Sequence, residues 1–372
     1  MRNKRILHFP GTMLYGGVGS VVMNLYRNMD RESVQFDFCV PRDGIGPLDD
    51  EIYALGGHIY HTPQIRKVGV YTYIKKIVMT IKDNGPFEAV HVHSVHMGAL
   101  VLLAAKLAGV KNRIYHVHNT QDAALEGIKC HAIIEWVLNI LIILLATKRY
   151  ACGKEAGCYI YGTHSFEVIN NAIDINRFHP APFEEKKQIK KELGLPVEKV
   201  IVGDIARFVK EKNQSYFIDL ASVDKKNENR LFFLLVGDGD DKHRVEELVR
   251  NNHLEDSFMF TGNRSDVERL YQAMDVFCLP SLYEGLPVSI MEAQACGIPC
   301  FVSSSVTTEA NIGAVPYISF SLNQDIRLSI DSIYFLAQEE VSTPTFVSNA
   351  FSENCYEIKA IANQLHNYYM HL

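Results

Sequence analysis

Short apolar strands alternate with helices twice along this chain, and this alternation constrains the fold more than any other feature. In the first half, strand-like segments occupy residues 5–9, 36–40, 58–60, 89–93 and 113–118. A second series occupies residues 200–205, 231–236 and 258–260 and a segment around Val276. The pattern predicts α/β architecture, with parallel sheets that helices cover on both faces. Such sheets bind their ligands at the carboxyl ends of the strands.

The length of the chain predicts two domains. The 372 residues exceed what one ordinary hydrophobic core holds. Between the two strand series, residues 168–195 contain Asn170-Asn171, Pro180 and Pro182, which is the composition of a linker. We therefore place the domain boundary between residues 170 and 171.

Charge and cysteine usage exclude some classes of protein. The net charge is −6, and no basic tract of five or more residues occurs, which argues against a nucleic-acid partner. The eight cysteines include no Cys-x-x-Cys pair, and we expect Cys278, Cys296 and Cys300 to be buried small apolar residues. The N-terminus lacks a signal-peptide pattern, so the expected compartment is the reducing cytoplasm.

One strongly apolar run, residues 132–146, raises the question of membrane contact. It is shorter than the ~20 residues that a membrane-spanning helix requires. The run favours a buried helix. The alternative is a helix in the membrane interface, with Trp136 and flanking basic residues as anchors, which would place the protein peripherally at the inner face of the membrane.

Glu284 and Glu292 flank a segment that predicts a strand, a turn and then a helix after Pro287. Eight residues of helix span about 12 Å. One carboxylate would then lie in the loop and the other on the helix body. Carboxylates can accept hydrogen bonds from sugar and ribose hydroxyls, while a helix N-terminus offers N–H groups to a diphosphate. A chance pair of solvated glutamates is the alternative.

Two further segments favour anion binding. Gly16-Gly17-Val18-Gly19 follows the first strand and opens a helix, although it lacks the third glycine of the dinucleotide fingerprint and could be a plain tight turn. Arg207 and Lys212 follow the strand at 200–205, where a guanidinium and an ammonium could bind a diphosphate. Ordinary surface charge is the alternative for this second segment.

Metal binding is the weaker interpretation of two other clusters. His91, His93, His96, His116 and His118 lie close together in sequence but lack an acidic or cysteine ligand, so hydrogen bonding from strand-end histidines fits better. Asp238-Gly239-Asp240 resembles the DxD motif of metal-dependent sugar transferases, but it directly follows a strand, where a turn is the simpler account. We predict no metal and no cofactor.

Taken together, these residues resemble the GT-B glycosyltransferases, and within them family 4. The resemblance covers most of the chain and rests on the glycines at 16–19, Arg207 with Lys212, and the segments 236–239, 260–264, 280–284 and 292–299. The segments 151–156 and 168–174 also look like parts of this family. The opening third is most similar to bacterial capsule and exopolysaccharide transferases. Gly153 and Thr307-Thr308-Glu309 depart from the family pattern.

The resemblance implies two Rossmann-like domains that face each other across a cleft. The acceptor domain would comprise residues 1–170 and a last helix, about 352–372, that crosses back to it. Residues 171–351 would form the nucleotide-sugar domain.

The resemblance also implies roles for individual residues. Arg207 and Lys212 would hold the diphosphate, and Glu292 the ribose. Glu284, with Gly285, Leu286 and Pro287, would contact the donor sugar. His93, or alternatively His118, would lie beside that sugar, and the catalytic candidates are His93, His118 and Glu284. The remaining donor-binding candidates are Gly16, Gly17, Gly237, Asn263 and Arg264.

The implied activity is retaining, metal-independent transfer of a sugar from a nucleotide-sugar, which we expect to be a UDP-sugar, to a glycan or lipid-linked acceptor. Two alternatives stay open from the sequence. A GT-B sugar-nucleotide epimerase would convert its donor without any acceptor, and a non-enzymatic regulator would bind the nucleotide-sugar without turnover.

Overall fold

The computed structural model describes residues 3–14, 16–119, 131–339 and 342–372. The chain forms two compact units. Unit 1 is Met1–Ala172 with Ile358–Leu372, and unit 2 is Ile173–Glu357. From the sequence, we expected the chain to pass from unit 1 to unit 2 after residue 170 and to return at about residue 352. In the structure both boundaries lie a few residues later. Ile173 and Glu357 form a parallel bridge, with the Ile173 N–H donating to the Tyr356 carbonyl at 2.9 Å, and both residues belong to unit 2.

Within the described residues, unit 1 contains a sheet of seven parallel strands in the order β3-β2-β1-β4-β5-β6-β7. The strands are β1 (Lys4–Phe9), β2 (Val34–Val40), β3 (Ile59–His61), β4 (Ala89–Val92), β5 (Asn112–Val117), β6 (Lys148–Ala151) and β7 (Glu167–Val168). Strand order reverses between β1 and β4, which makes a topological switch point at their carboxyl ends.

Helices cover both faces of this sheet. They are α1 (Gly17–Arg27), α2 (Asp49–Ala54), α3 (Ile65–Val68), α4 (Val70–Asn84), α5 (Gly98–Leu107), α6 (His131–Leu145), α7 (Lys154–Tyr161) and, from the chain end, α15 (Ile358–Met370). Helices α4, α5 and α6 pack side by side, whereas α15 packs against α1 and β2.

Unit 2 repeats the same topology. Its described residues form six parallel strands in the order β10-β9-β8-β11-β12-β13. The strands are β8 (Val200–Ile205), β9 (Leu231–Val236), β10 (Phe258–Gly262), β11 (Val276–Leu279), β12 (Cys300–Ser303) and β13 (Tyr317–Phe320). All six residues of β9 are buried and apolar, as expected for a strand that is covered on both faces.

The helices of unit 2 are α8 (Phe183–Glu192), α9 (Tyr216–Asn227), α10 (Lys242–Asn251), α11 (Val267–Ala273), α12 (Val288–Ala295), α13 (Ile326–Gln338) and α14 (Pro344–Glu353). Aromatic side chains of α9, β9 and β10 pack together in the core, and Phe233 stacks on Phe258 with 5.0 Å between ring centroids. Cys278, Cys296 and Cys300 are buried, as predicted.

Two expectations about helices were wrong. The predicted last helix at about 352–372 is interrupted, because the chain leaves α14 at Glu353, turns through Cys355 at a φ of 60°, and begins α15 at Ile358. Helix α6 is not buried: Leu138, Ile142 and Leu145 are covered, whereas Trp136 is 64% and Leu144 71% exposed. Among the described residues, no helix is both long enough and apolar enough to cross a membrane.

Candidate active site

The switch point of unit 2 lies between β8 and β11, which pair in parallel. The chain leaves these neighbouring strands toward opposite sides, so the loops that follow them form a crevice at the carboxyl edge of the sheet. The β8 loop carries Arg207 and Lys212, and the β11 loop carries Glu284. The sequence thus predicted charged groups that the topology places on two adjacent loops.

The two loops are bound to each other. The Asn213 side-chain amide donates to the Pro280 carbonyl at 3.2 Å, and the Leu282 N–H donates to the Glu211 carbonyl at 2.8 Å. Asn213 adopts the left-handed conformation, with a φ of 53°, which an asparagine tolerates better than most residues. These contacts hold the ends of both loops together.

Lys212 and Glu284 form an ion pair across this junction. The Ser281 hydroxyl also donates to Glu284 Oε1, at 2.7 Å. The Lys212 and Glu284 side chains are 16% and 12% exposed, so their charges are partly desolvated and interact more strongly than surface charges do. Arg207 is exposed and makes no ion pair with the described residues of the protein. The site therefore offers one paired and one open cation.

Helix α12 begins directly after this loop, with Pro287 at its N-cap and Leu286 buried beside it. Glu284 lies in the loop and Glu292 on the helix, as predicted. Glu292 is 9% exposed, and its Oε2 accepts a hydrogen bond of 2.9 Å from the Tyr271 hydroxyl. This bond fixes the orientation of the Glu292 carboxylate.

The next loops along the same edge follow β9 and β10. Gly237 has a φ of 134°, and a Cβ there would lie 2.1 Å from the Ala206 carbonyl oxygen, so only glycine fits. Asn263 is exposed after β10, and Arg264 makes two hydrogen bonds to Asp266, at 2.8 and 2.7 Å. The Asp238 region forms a turn, with Asp238 Oδ1 accepting from the Gly239 N–H at 2.9 Å.

In unit 1, Gly16 and Gly17 form the turn into α1. Their φ angles are 84° and 53°, which favour glycine, and the Gly16 N–H donates to the Ser20 hydroxyl at 3.0 Å. A Cβ on Gly19 would lie 2.1 Å from the Leu14 carbonyl oxygen. Backbone geometry therefore accounts for these glycines by itself, and an anion-binding role for them stays a prediction.

The histidines of unit 1 form a buried row across β1, β4 and β5. His8 Nδ1 lies 3.0 Å from His93 Nε2, and His93 Nδ1 lies 3.0 Å from His118 Nε2. The row ends at Asn171, whose Oδ1 lies 3.3 Å from His118 Nδ1. Since an amide oxygen only accepts, each of the three imidazoles carries its hydrogen on Nδ1.

This row changes what His93 and His118 can do. Both ring nitrogens of each are already hydrogen-bonded within the sheet, so contact with a sugar would have to replace one of these bonds. Two neighbouring imidazoles complete the cluster. His91 Nδ1 lies 2.6 Å from the Tyr369 hydroxyl on α15. Among the described residues, neither ring nitrogen of His116 makes a hydrogen bond of ordinary geometry, although the Ile169 backbone interacts with this ring.

Burial keeps the row neutral. It lowers the pKa of His8 to about 3 and that of His118 to about 4. Burial holds the pKa of His91, His93 and His116 well below the usual value, and repulsion from neighbouring imidazoles lowers it further. Neutral imidazoles can ligate metals, and His8, His91 and His93, or His93, His116 and His118, have ring nitrogens close enough to share an ion.

The geometry nevertheless favours hydrogen bonding over metal ligation. The ring nitrogens of His93 and His118 are already hydrogen-bonded to other imidazoles or to Asn171, so an ion could bind there only by breaking these bonds. No carboxylate belongs to either group within the described part of the chain. The prediction of no metal therefore stays a prediction, and sequence reasoning missed His8 and Asn171 as members of the row.

Comparison with known proteins identifies the family. The model for glycosyl transferases group 1 matches residues 185–312, and that for glycosyltransferase family 4 matches residues 15–177. A Bacillus subtilis (strain 168) protein that is named as a glycosyltransferase, EpsF, is 34% identical over 371 residues, covering 98% of this chain and 96% of that protein. The chain belongs to glycosyltransferase family 4.

A further relative agrees with this assignment, and a solved structure shows the fold. The Escherichia coli UDP-Gal:alpha-D-GlcNAc-diphosphoundecaprenol alpha-1,3-galactosyltransferase is 28% identical over 315 residues, which cover 81% of this chain and 79% of that enzyme. The crystal structure of Anabaena Alr3699/HepE in complex with UDP and glucose matches with a TM-score of 0.78 at 18% identity, covering both chains completely. The family 4 protein is thus a glycosyltransferase with the predicted GT-B fold.

Proposed function

We propose that this glycosyltransferase moves a sugar from a UDP-sugar to a glycan or lipid-linked acceptor in surface polysaccharide synthesis. The observation that carries the proposal is the convergence of Arg207, Lys212 and Glu284 at the unit 2 switch point. The names of two comparison proteins support it, since one contains UDP-Gal and an undecaprenol-linked diphosphate acceptor, and the other was solved with UDP and glucose.

The site supplies a partner for each part of such a donor. Arg207 and Lys212 would bind the diphosphate, because charge-assisted hydrogen bonds to phosphate are stronger than neutral ones. Glu284, together with the backbone of Gly285 and Leu286 before α12, would bind the sugar hydroxyls. Glu292 on α12 would accept hydrogen bonds from the ribose.

The base would lie further along the same edge. Asn263 and Arg264 follow β10, and Gly237 would let the backbone after β9 approach the nucleotide closely, since this position excludes a side chain. Arg264 is already paired with Asp266, so we expect it to position the loop rather than to bind phosphate.

The proposed transfer retains the anomeric configuration. The C1–oxygen bond of the donor breaks, and its electron pair leaves with the diphosphate, where Arg207 and Lys212 stabilise the developing charge. The acceptor hydroxyl attacks C1 on the same face, and its proton passes to the departing phosphate oxygen. NMR of the product gives the test: a donor and product of the same anomeric configuration support this route, and inversion overturns it.

We also propose that the reaction is independent of metal ions. Two cations would supply the positive charge that a divalent ion otherwise brings to a diphosphate. Full activity in excess EDTA is the expected result. Activity that disappears in EDTA and returns with Mg²⁺ or Mn²⁺ would contradict it and would direct attention to Asp238 and Asp240. Incubation of the donor without acceptor should leave the donor unconverted, whereas epimerisation would refute sugar transfer.

Peripheral contact with the membrane is the second part of the proposal. The outer face of α6 exposes Ile133, Trp136 and Leu144, at 62%, 64% and 71%. Helix α5 packs against both α4 and α6, and right-handed crossovers from β3 to β6 would place all three on one face of the unit 1 sheet. These positions place α4 and α6 on the same outward side of unit 1.

Helix α4 and the preceding α3 add positive charge and further exposed apolar groups. Residues 65–84 contain five basic residues and one acidic residue, in a chain whose net charge is −6. Lys75 and Lys76 are exposed, and Tyr71 is 80% exposed. An apolar face beside a basic one fits an anionic lipid surface. We therefore propose that this side of unit 1 binds the inner face of the cell membrane, where a lipid-linked acceptor would lie.

Co-sedimentation with phosphatidylglycerol vesicles tests this contact. We expect binding at low salt that weakens at high salt and that Leu144→Glu removes. Leu328→Glu is the matched control, since Leu328 is 58% exposed on α13 of unit 2. No binding of the unmodified protein to anionic vesicles at low salt would refute the contact. Retention that only detergent reverses would mean that α6 inserts deeply.

A further inference from the structure

Asp204 is a buried carboxyl that lies beside the proposed donor site and that no part of the mechanism uses. Asp204 lies on β8, and only 2% of its surface is exposed. Its Oδ2 accepts a hydrogen bond of 3.3 Å from the Gln214 side-chain amide, and its Oδ1 has no hydrogen-bond partner among the residues that the structure describes. An ionised carboxylate can accept several hydrogen bonds, so burial with a single long one is costly.

The neighbouring hydrogen-bond donors cannot make up the deficit. The Gln214 amide nitrogen also donates to the Arg207 carbonyl at 3.0 Å, so both of its hydrogens are used. Gln214 Oε1 is a second buried acceptor without a partner in the described part of the chain. The pair thus has more acceptor oxygens than hydrogens, and a proton on Asp204 reduces this shortage.

The charged and titratable groups that act on Asp204 come from two loops, one helix and one strand. Lys212 precedes α9, and Glu284 follows β11; the Lys212 charge favours an ionised Asp204, and the Glu284 charge opposes it. Tyr271 of α11 and Cys278 of β11 also interact with it and stay neutral at pH 7, because burial raises the pKa of both. Burial raises the pKa of Asp204 to about 7.

A bound diphosphate would change this balance. It would bring negative charge to Arg207 and Lys212, and it would draw the Lys212 ammonium away from the carboxylates. Both changes favour the protonated form of a nearby acid. We propose that Asp204 takes up a proton when the donor diphosphate binds, so that donor affinity is linked to pH. This inference rests on the proposed function, because it takes the diphosphate to lie at Arg207 and Lys212.

The direction of the pH dependence follows from linkage. A site that gains a proton on binding binds more tightly at lower pH, across the range in which that proton is exchanged. If binding raised the pKa by about one unit, affinity would fall about fivefold between pH 6 and pH 8. Asp204 acts through Lys212 and Glu284 here, so it is a positioning residue rather than a catalytic one.

Calorimetric titration with UDP measures the proton directly. The binding enthalpy at pH 7 is compared in PIPES and in Tris, whose ionisation enthalpies differ, and the difference gives the number of protons taken up. The terminal phosphate of UDP titrates near pH 6 and contributes as well. Asp204→Asn, which is neutral at every pH, removes only the Asp204 contribution. Asp238→Asn, on the exposed turn of a neighbouring loop, is the matched control.

For each UDP bound, we expect the unmodified protein and Asp238→Asn to take up more protons than Asp204→Asn does, by at most about half a proton. Asp204→Asn should also lose the fivefold pH dependence that is specific to this site. Equal proton uptake in all three proteins, with UDP bound in each, would overturn the inference and leave the proposed function intact. Failure of the unmodified protein to bind UDP at any pH would instead overturn the donor site itself.

A second measurement does not depend on the variant folding. Infrared difference spectra of the unmodified protein at pH 7, with and without UDP, should show a gain in the C=O band of a protonated carboxyl group. No such gain when UDP binds would overturn the inference. Donor and nucleotide absorb in the same region, so spectra of free UDP are subtracted first.

Discussion

The buried histidine row makes the stability of unit 1 sensitive to acid, and His116→Leu should reduce that sensitivity. His116 is fully buried, and among the described residues neither of its ring nitrogens makes a hydrogen bond of ordinary geometry. Burial holds its pKa well below 6.5 in the folded state, whereas in the unfolded chain it takes up a proton near pH 6.5. Protonation below pH 6.5 therefore favours the unfolded state.

The magnitude follows from the same linkage. The stability that the neutral imidazole maintains is fully present above pH 6.5 and is lost as the pH falls. Each pH unit below 6.5 costs about 1.4 kcal/mol per histidine that stays neutral when folded. At pH 5 this amounts to about 2 kcal/mol for His116. Leucine has no proton to gain, so the variant should lose about 2 kcal/mol less between pH 7 and pH 5.

Urea unfolding at pH 7 and pH 5 measures this difference. The fluorescence of Trp136, the single tryptophan of the chain, reports on unit 1. His243→Leu is the control, because its side chain is 77% exposed on α10; it should leave the acid sensitivity of unit 1 unchanged. Equal losses of stability in His116→Leu and the unmodified protein would refute the reasoning, since they would show that His116 is already protonated or is not buried.

Three further substitutions test other contacts. Tyr369→Phe removes the hydrogen bond between α15 and His91 and should cost about 1 kcal/mol of unfolding free energy with transferase activity retained; an activity loss without a stability loss would contradict a structural role. Gly237→Ala should abolish UDP binding, because its Cβ would lie 2.1 Å from the Ala206 carbonyl oxygen; normal binding in calorimetry would show that the loop adjusts freely. Glu292→Gln should weaken UDP binding about tenfold more than it weakens binding of 2′,3′-dideoxy-UDP, which lacks the ribose hydroxyls; equal losses for both nucleotides would refute the ribose contact.

The sheets and the positions of the residues in the proposed donor site could be predicted from the sequence for the same physical reason. Parallel strands that are buried on both faces give continuous apolar runs, such as Leu231–Val236, and the residue that follows each run lies at the functional edge. Arg207, Lys212 and Glu284 are visible as charges directly after such runs. Their local position is sufficient, because the topology brings neighbouring strand ends together.

Other features depend on contacts that local sequence does not encode. His8 and His93 are 85 residues apart, and nothing local indicates that β1 and β4 are neighbours. The apolar sequence of α6 would be the same whether a protein core or a lipid surface covered it, so the sequence pattern alone could not predict its exposure. The expectation that α6 is buried was therefore wrong. The end of α14 was missed because Cys355 adopts a positive φ without a glycine to mark the turn.

Binding of UDP at the unit 2 switch point is the central claim, and calorimetric titration of UDP tests it most directly. The account predicts that the unmodified protein binds UDP and that Arg207→Ala and Lys212→Ala each weaken binding by about 1.5–3 kcal/mol, or roughly 10- to 160-fold. Lys210→Ala, an exposed lysine in the same loop, should bind as the unmodified protein does. Unchanged affinity in both the Arg207 and Lys212 variants would contradict the diphosphate assignment and, with it, the proposed donor site.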